Sequence, residues 1–201
     1  MHYGMVIDLG RCIGCNACTV ACKQKNATPR GTFWCKVTTT EEGEYPKAYR
    51  KSVPTLCNHC QNAVCVAVCP THATYKREDG IVMVDQDKCI GCRYCIAACP
   101  YEARTFDFGE DKTYFPELEG DNPYESAHEG AFHAGTVSKC ILCSDRIDSG
   151  DVSTACSQAC PTHARIFGDL DSPEMQELIR RGAYVMRPDQ RTQPAVYYLP
   201  R

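Results

Sequence analysis

No run in this 201-residue chain approaches the roughly 20 apolar residues of a membrane-crossing helix, which excludes a helical span. Basic residues are neither in excess nor clustered. The 22 Lys and Arg stand against 25 Asp and Glu, a formal charge of −3, which speaks against nucleic acid as a partner. Met1 to Gly10 has no basic n-region and no apolar h-region, so no signal peptide is expected. There is no Ser-His-Asp set, no phosphate-binding loop and no dinucleotide fingerprint followed by an acidic residue, so no substrate chemistry is expected on this chain. Apolar residues make up 43%, cysteines included. That supports only a modest core, and bound groups must supply much of the folding free energy.

Cysteine is what the chain has in abundance. Sixteen of its 17 cysteines fall into four groups of four. Cys12, Cys15, Cys18 and Cys22 read C-x2-C-x2-C-x3-C, and Cys57, Cys60, Cys65 and Cys69 read C-x2-C-x4-C-x3-C-P. Cys89, Cys92, Cys95 and Cys99 read C-x2-C-x2-C-x3-C-P, and Cys140, Cys143, Cys156 and Cys160 read C-x2-C-x12-C-x3-C-P. The third group is the bacterial ferredoxin run for [4Fe–4S] ligation. Four groups imply four cubane clusters and a path for electrons. An oxidised cubane with four thiolates carries about −2, which takes the loaded chain to about −11.

The spacing has a mechanical reason. Thiolates at i, i+3 and i+6 on a tightly turning loop reach three corners of one cube. The fourth cysteine, on the helical turn leading away, ligates the neighbouring cluster, and the proline after it ends the turn. Gly14 and Gly91 are expected to let the backbone curl against a cluster, and Ile13, Ile90 and Ile141 to shield cluster faces from water. A zinc site needs two C-x-x-C pairs and leaves the third cysteine surplus. Disulfides fit an odd count and regular spacing poorly. Cys35 lies outside every group and reads as a buried, inert thiol.

Internal repetition points to the architecture. Cys69-Pro-Thr-His-Ala73 recurs as Cys160-Pro-Thr-His-Ala164, with Cys99-Pro-Tyr-Glu-Ala103 a variant. Strand-like runs follow at Thr74–Lys76, Arg104–Phe106 and Arg165–Phe167, and Asp79-Gly80 marks a hairpin. The fold expected is α+β: two ferredoxin-like 2[4Fe–4S] units, one inserted in the other, with small β-hairpins and short helices around four cubanes. Residues 53–106 form the inserted unit, holding groups two and three. Residues 1–52 and 107–170 form the outer unit, holding groups one and four, with an acidic insertion at 107–138. Residues 171–201 add a helix, capped by Ser172 and Pro173 and stopped at Gly182, and a strand at Ala195–Leu199.

Ferredoxin behaviour, rather than spacing alone, suggests an exchange of fourth ligands within each unit. One cluster then takes Cys57, Cys60, Cys65 and Cys99, and its neighbour takes Cys89, Cys92, Cys95 and Cys69. In the outer unit one takes Cys12, Cys15, Cys18 and Cys160, the other Cys140, Cys143, Cys156 and Cys22. The 107–138 segment holds eight acidic residues against one lysine. It reads either as a solvated loop or as an arm whose Tyr114, Phe115, Tyr124 and Phe132 pack on a partner. His72 and His163 occupy matched places and read as structural, while His59 is the histidine placed to tune a cluster or meet a partner. His2, His128 and His133 show no constellation.

With Leu56-Cys-Asn-His-Cys60, Cys69-Pro-Thr, Cys89-Ile-Gly-Cys92, Ala98-Cys-Pro-Tyr101, Lys139-Cys-Ile-Leu-Cys143 and Gly168-Asp-Leu170, the layout resembles the iron–sulfur subunit of the dimethyl sulfoxide reductase family. The small subunits of polysulfide and respiratory arsenate reductases are especially similar. The resemblance implies a non-catalytic electron-transfer subunit. It would pass electrons between a quinone-linked membrane donor, or a soluble one, and a large catalytic subunit that carries a molybdopterin cofactor. In many relatives a membrane anchor subunit completes the complex. It implies assembly in the cytoplasm and, with a partner bearing a twin-arginine signal, export to the outer face of the membrane. Two other readings stay open: a subunit of a molybdenum hydroxytransferase or dehydroxylase, and a mobile polyferredoxin serving a hydrogenase or formate dehydrogenase.

Overall fold

In chain order the first elements are β1 (Tyr3–Asp8), α1 (Ala17–Asn26), β2 (Cys35–Glu42), β3 (Tyr49–Leu56), α2 (Val64–Ala67), β4 (Thr74–Lys76), β5 (Val82–Val84), α3 (Tyr94–Ala97) and β6 (Thr105–Phe106). Then come α4 (Pro123–Ala127), β7 (Val137–Ser138), α5 (Ser144–Asp148), α6 (Ala155–Gln158), β8 (Arg165–Asp169), α7 (Pro173–Arg180) and β9 (Val196–Leu199). This computed structural model describes residues 1–109, 114, 115, 117, 122–128 and 132–201. The rest of the acidic segment, at 110–113, 116, 118–121 and 129–131, lies outside the described residues.

The run ahead of the first cysteine group becomes the centre of a three-stranded sheet. β8 pairs antiparallel to β1 with Met5 opposite Phe167, and β9 pairs parallel to it with Met5 opposite Val196. The period-2 alternation of β1 divides the interior. Tyr3, Met5 and Ile7, continued by Leu9, face a core they share with Cys18, Cys22, Cys140 and Cys156. Val6 faces a second cluster built with Leu170, Met175 and Leu199. In α7 the Ser172 hydroxyl accepts from Met175 N–H at 3.3 Å, Met175 is buried as the apolar face requires, and Gly182 follows with φ +92°.

The Asp79-Gly80 turn joins the antiparallel strands β4 and β5. A longer hairpin, β2 with β3, pairs all eight residues of each strand from Cys35 opposite Leu56 to Glu42 opposite Tyr49. Its outer half is polar and mostly exposed, and its inner end reaches the cysteine-rich core. Three aromatics of the acidic segment touch the chain itself, though Tyr114 and Tyr124 stay partly exposed. Tyr114 Oη donates to Thr28 O at 2.8 Å, Tyr124 Oη to Gln24 O, and the Phe132 ring lies 5.7 Å from Trp34. Among the described residues no helix is long and apolar enough to cross a membrane.

Candidate iron–sulfur sites

Each cysteine loop turns at the same place. The residue just before the second cysteine has positive φ in all four groups: Gly14 at +70°, His59 at +42°, Gly91 at +67° and Leu142 at +51°. This left-handed residue folds the loop back so that thiols three apart face one space. Asn16 and Arg93 repeat the conformation one residue past the second cysteine and start α1 and α3. The glycines have structural neighbours of their own. A Cβ at Gly14 would meet Ser52 Oγ at 2.4 Å, and one at Gly91 would meet Gly135 O at 2.1 Å. Close packing against β3 and against the 133–136 turn is therefore reason enough for both.

The loops form three clefts, each lined by four grouped cysteines. Cys12, Cys15, Cys18 and Cys160, with Val37, Pro54 and Arg165, line a first site. Cys22, Cys140, Cys143 and Cys156, with Asn26 and Cys35, line a second. Cys57, Cys60, Cys65 and Cys99, with Arg104 and Thr192, line a third. Every cleft draws its cysteines from two sequence groups. Cys69, Cys89, Cys92 and Cys95 form the remaining set. Burial raises the Cys95 thiol, with Cys65 and Cys89 adding to the effect, and Cys92 is exposed. A surface groove around His2, Gln61, Lys76 and Tyr197 is lined by no cysteine.

Donors surround the sulfurs. Thr74 N–H donates to Cys69 Sγ at 3.3 Å and Ala164 N–H to Cys160 Sγ at 3.3 Å, from the end of each repeated Cys-Pro-Thr-His-Ala turn and one residue apart in register. His72 and His163 sit at φ +54° and +51° within it, so backbone conformation rather than ligation accounts for them. Leu142 N–H reaches Cys140 Sγ and Ala155 N–H reaches Cys143 Sγ, both at 3.5 Å. Burial pushes Cys22 up to about 12 and Cys60 up to about 11, so a metal that needs thiolates must displace protons there.

Three sequence expectations need correction. Cys35 is buried but not a bystander: it lines the second site, and as a hydrogen-bond partner its thiol holds the Cys18 thiol below its usual range. His59 cannot meet a partner, being 0% exposed, with Nδ1 accepting from Val82 N–H at 3.0 Å. Its neutral form is enforced by desolvation and then by the nearby Lys139 and Arg104 cations. Ile13 and Ile90 are 67% and 66% exposed. Ile13 nonetheless lines the first site, as Ile141 lines the second, so each covers a cavity from its solvent side.

Sequence reasoning missed three buried cations. Arg165, Arg104 and Lys139 are only 3%, 7% and 2% exposed. All three guanidinium nitrogens of Arg165, and Nη2 of Arg104, are buried without a hydrogen-bond partner among the described residues. Desolvation alone would lower both arginines. The fields of Cys156, Cys35 and Cys18 raise Arg165, and those of Cys65, Cys95 and Cys57 raise Arg104. A signal was present: the last Cys-Pro of each expected unit reads C-P-x-x-A-R, at Cys99–Arg104 and Cys160–Arg165, where Cys69 is followed by C-P-T-H-A-T.

An unpaired buried guanidinium beside four thiols asks for an anion, because desolvating an ion costs several kcal/mol unless it is compensated. An anionic cubane bound through those thiols supplies that charge. Among the described residues no group of three or more His, Cys, Asp or Glu side chains is arranged to hold a single metal ion.

Comparison with known proteins agrees with this chemistry. Models of a 4Fe-4S dicluster domain match residues 49–114 and 88–164, and a 4Fe-4S binding domain matches residues 3–24. A selenate reductase subunit from Mesobacillus selenatarsenatis is 43% identical over 207 residues, covering 97% of this chain and 70% of that one. A chain assigned as a dimethyl sulfoxide reductase iron–sulfur subunit in Halobacterium salinarum is 42% identical over 214 residues, covering 98% and 79%. The arsenate respiratory reductase iron–sulfur subunit of a Shewanella species is 36% identical over 226 residues, covering 99% and 96%.

Proposed function

We propose that this chain, which belongs to the iron–sulfur subunits of the dimethyl sulfoxide reductase molybdoenzyme family, holds four [4Fe–4S] clusters and conducts electrons to or from a molybdopterin-bearing catalytic subunit. The observation that carries this reading is the set of three sites, each lined by four cysteines from two groups, with Arg165 unpaired at the first and Arg104 Nη2 without a partner at the third. On this reading Cys12, Cys15, Cys18 and Cys160 hold one cluster, and Cys140, Cys143, Cys156 and Cys22 a second. Cys57, Cys60, Cys65 and Cys99 hold a third, and Cys89, Cys92, Cys95 and Cys69 a fourth. Groups one and four belong to an outer unit and groups two and three to one inserted in it.

Each cubane, when bound, supplies a one-electron couple. The chain's own residues do the rest. N–H groups of Thr74, Ala164, Leu142 and Ala155 point at ligand sulfurs and favour the reduced, more negative state. Apolar walls such as Val37, Pro54 and Leu142 keep water from the sites. Neighbouring sites are close enough for their charges to interact: Cys140 is raised by burial and then by sulfurs that include Cys57 across the way. The donor is a quinone-linked membrane subunit or a soluble carrier, and the chain folds and takes up iron before any export with its partner. The cluster-loaded chain, analysed anaerobically, should contain about 16 iron and 16 sulfide and no zinc. It should accept about four electrons yet reduce no oxyanion until the catalytic subunit is added. Eight iron, stoichiometric zinc, or turnover by this chain free of molybdenum would overturn the proposal.

A further inference from the structure

The three buried cations are not scattered; they stand between the sites. Arg165 lines the first site, and the sulfurs that act on it include Cys156 and Cys140 of the second. Lys139 Nζ donates to the carbonyl of Cys140, a lining residue of the second site, at 2.7 Å, and to the carbonyl of Val82, a lining residue of the third. Val82 N–H in turn donates to His59 Nδ1, in the loop between Cys57 and Cys60, so one hydrogen-bonded chain joins the two sites. Arg104 lines the third site, and its Nη1 donates to Thr74 Oγ1 at 3.2 Å. Thr74 N–H then donates to Cys69 Sγ, in the fourth set, at 3.3 Å.

We propose that Arg165, Lys139 and Arg104 form a series of buried cations, one at each junction between successive clusters, and that each holds up the reduction potentials of the two clusters it separates. The proposal rests on the ligand reading above. The physical reason is charge. Reducing a cubane adds an electron to a site already at about −2, beside a neighbour of the same charge. A desolvated cation between them offsets that repulsion where water cannot, because screening is weak in the interior. Without it, reducing one cluster would oppose reduction of the next, and only alternate sites would fill. The two arginines come from matched positions of a repeated turn, whereas Lys139 arises where the two halves meet. Its counterpart in the repeat, Lys88 ahead of Cys89, is 67% exposed and paired with Asp85 at 2.9 Å, so only Lys139 is buried.

The test is an anaerobic redox titration of the holoprotein, followed by electron paramagnetic resonance, with charge-removing and charge-keeping variants. Lys139→Met should lower the potentials of the second and third clusters at least tenfold in reduction equilibrium, about 59 mV for one electron, and leave the first and fourth in place. Lys139→Arg should restore both. Arg165→Met should move the first and second clusters, and Arg104→Met the third and fourth. A merely structural role would not sort the shifts into neighbouring pairs, nor be rescued by charge alone. Iron and sulfide are counted on the same samples. Four intact cubanes with unmoved potentials, or shifts shared equally by all four, overturn the proposal alone. Fewer than four cubanes in the unsubstituted protein overturns the ligand reading, and the proposal with it.

Discussion

Replacing Arg165 by methionine should change stability in opposite directions with and without clusters. The side chain is 3% exposed, and its Nε, Nη1 and Nη2 have no hydrogen-bond partner among the described residues. In the loaded protein its partners are anionic clusters, and removing one member of a buried charge pair costs about 3–5 kcal/mol because the other charge is left uncompensated. Methionine matches much of the volume, so little of that loss is cavity. In the iron-free chain the same guanidinium is a buried ion facing uncharged thiols, and methionine relieves a desolvation cost of several kcal/mol. Arg180→Met is the control. Its ion pair with Glu177 at 2.9 Å joins side chains that are each 65% exposed. Such a pair contributes no more than about 0.5 kcal/mol. The assay is anaerobic guanidinium denaturation followed by cluster absorption, or the bleaching rate where loss is irreversible, with circular dichroism for the iron-free chain. The reasoning is refuted if Arg165→Met behaves like Arg180→Met in the loaded protein, or destabilises both forms alike.

Two further predictions use the same preparations. Cys99→Ser should damage the cluster of Cys57, Cys60 and Cys65. Cys35→Ser should leave all four in place, since a hydroxyl can still donate to Cys18. Disturbance of the Cys89, Cys92 and Cys95 cluster by Cys99→Ser would instead reject the ligand exchange. Gly91→Ala should cost more than Gly31→Ala in a denaturant midpoint. Both have positive φ, which costs an L-residue about 1–2 kcal/mol, but a Cβ at Gly91 meets Gly135 O at 2.1 Å while Gly31 faces open space. Equal losses would show that the 133–136 turn yields freely.

The cysteine loops, the turn after each Cys-Pro, the β4–β5 hairpin and the capped helix α7 were all legible in the chain, because each is set by neighbours within a few residues. Spacing brings thiols three apart onto one curl, Asp79-Gly80 makes a tight turn, and Ser172-Pro173 starts a helix whatever surrounds it. The β2–β3 hairpin was not legible. Its strands carry Lys, Thr and Glu in runs that only pairing makes extended, and its inner end then supplies Val37 and Pro54 to one site and Cys35 to the next. The same holds for the buried cations. In sequence Arg104, Lys139 and Arg165 are three of 22 basic residues, and although C-P-x-x-A-R marks the two arginines, nothing in it says that they are buried. Burial is a property of the packed chain, and it is burial that turns a solvated charge into a field acting on its neighbours. The residues near one another in the chain thus determine where clusters can be held. Which charges stand between the sites is decided only when distant segments close around them.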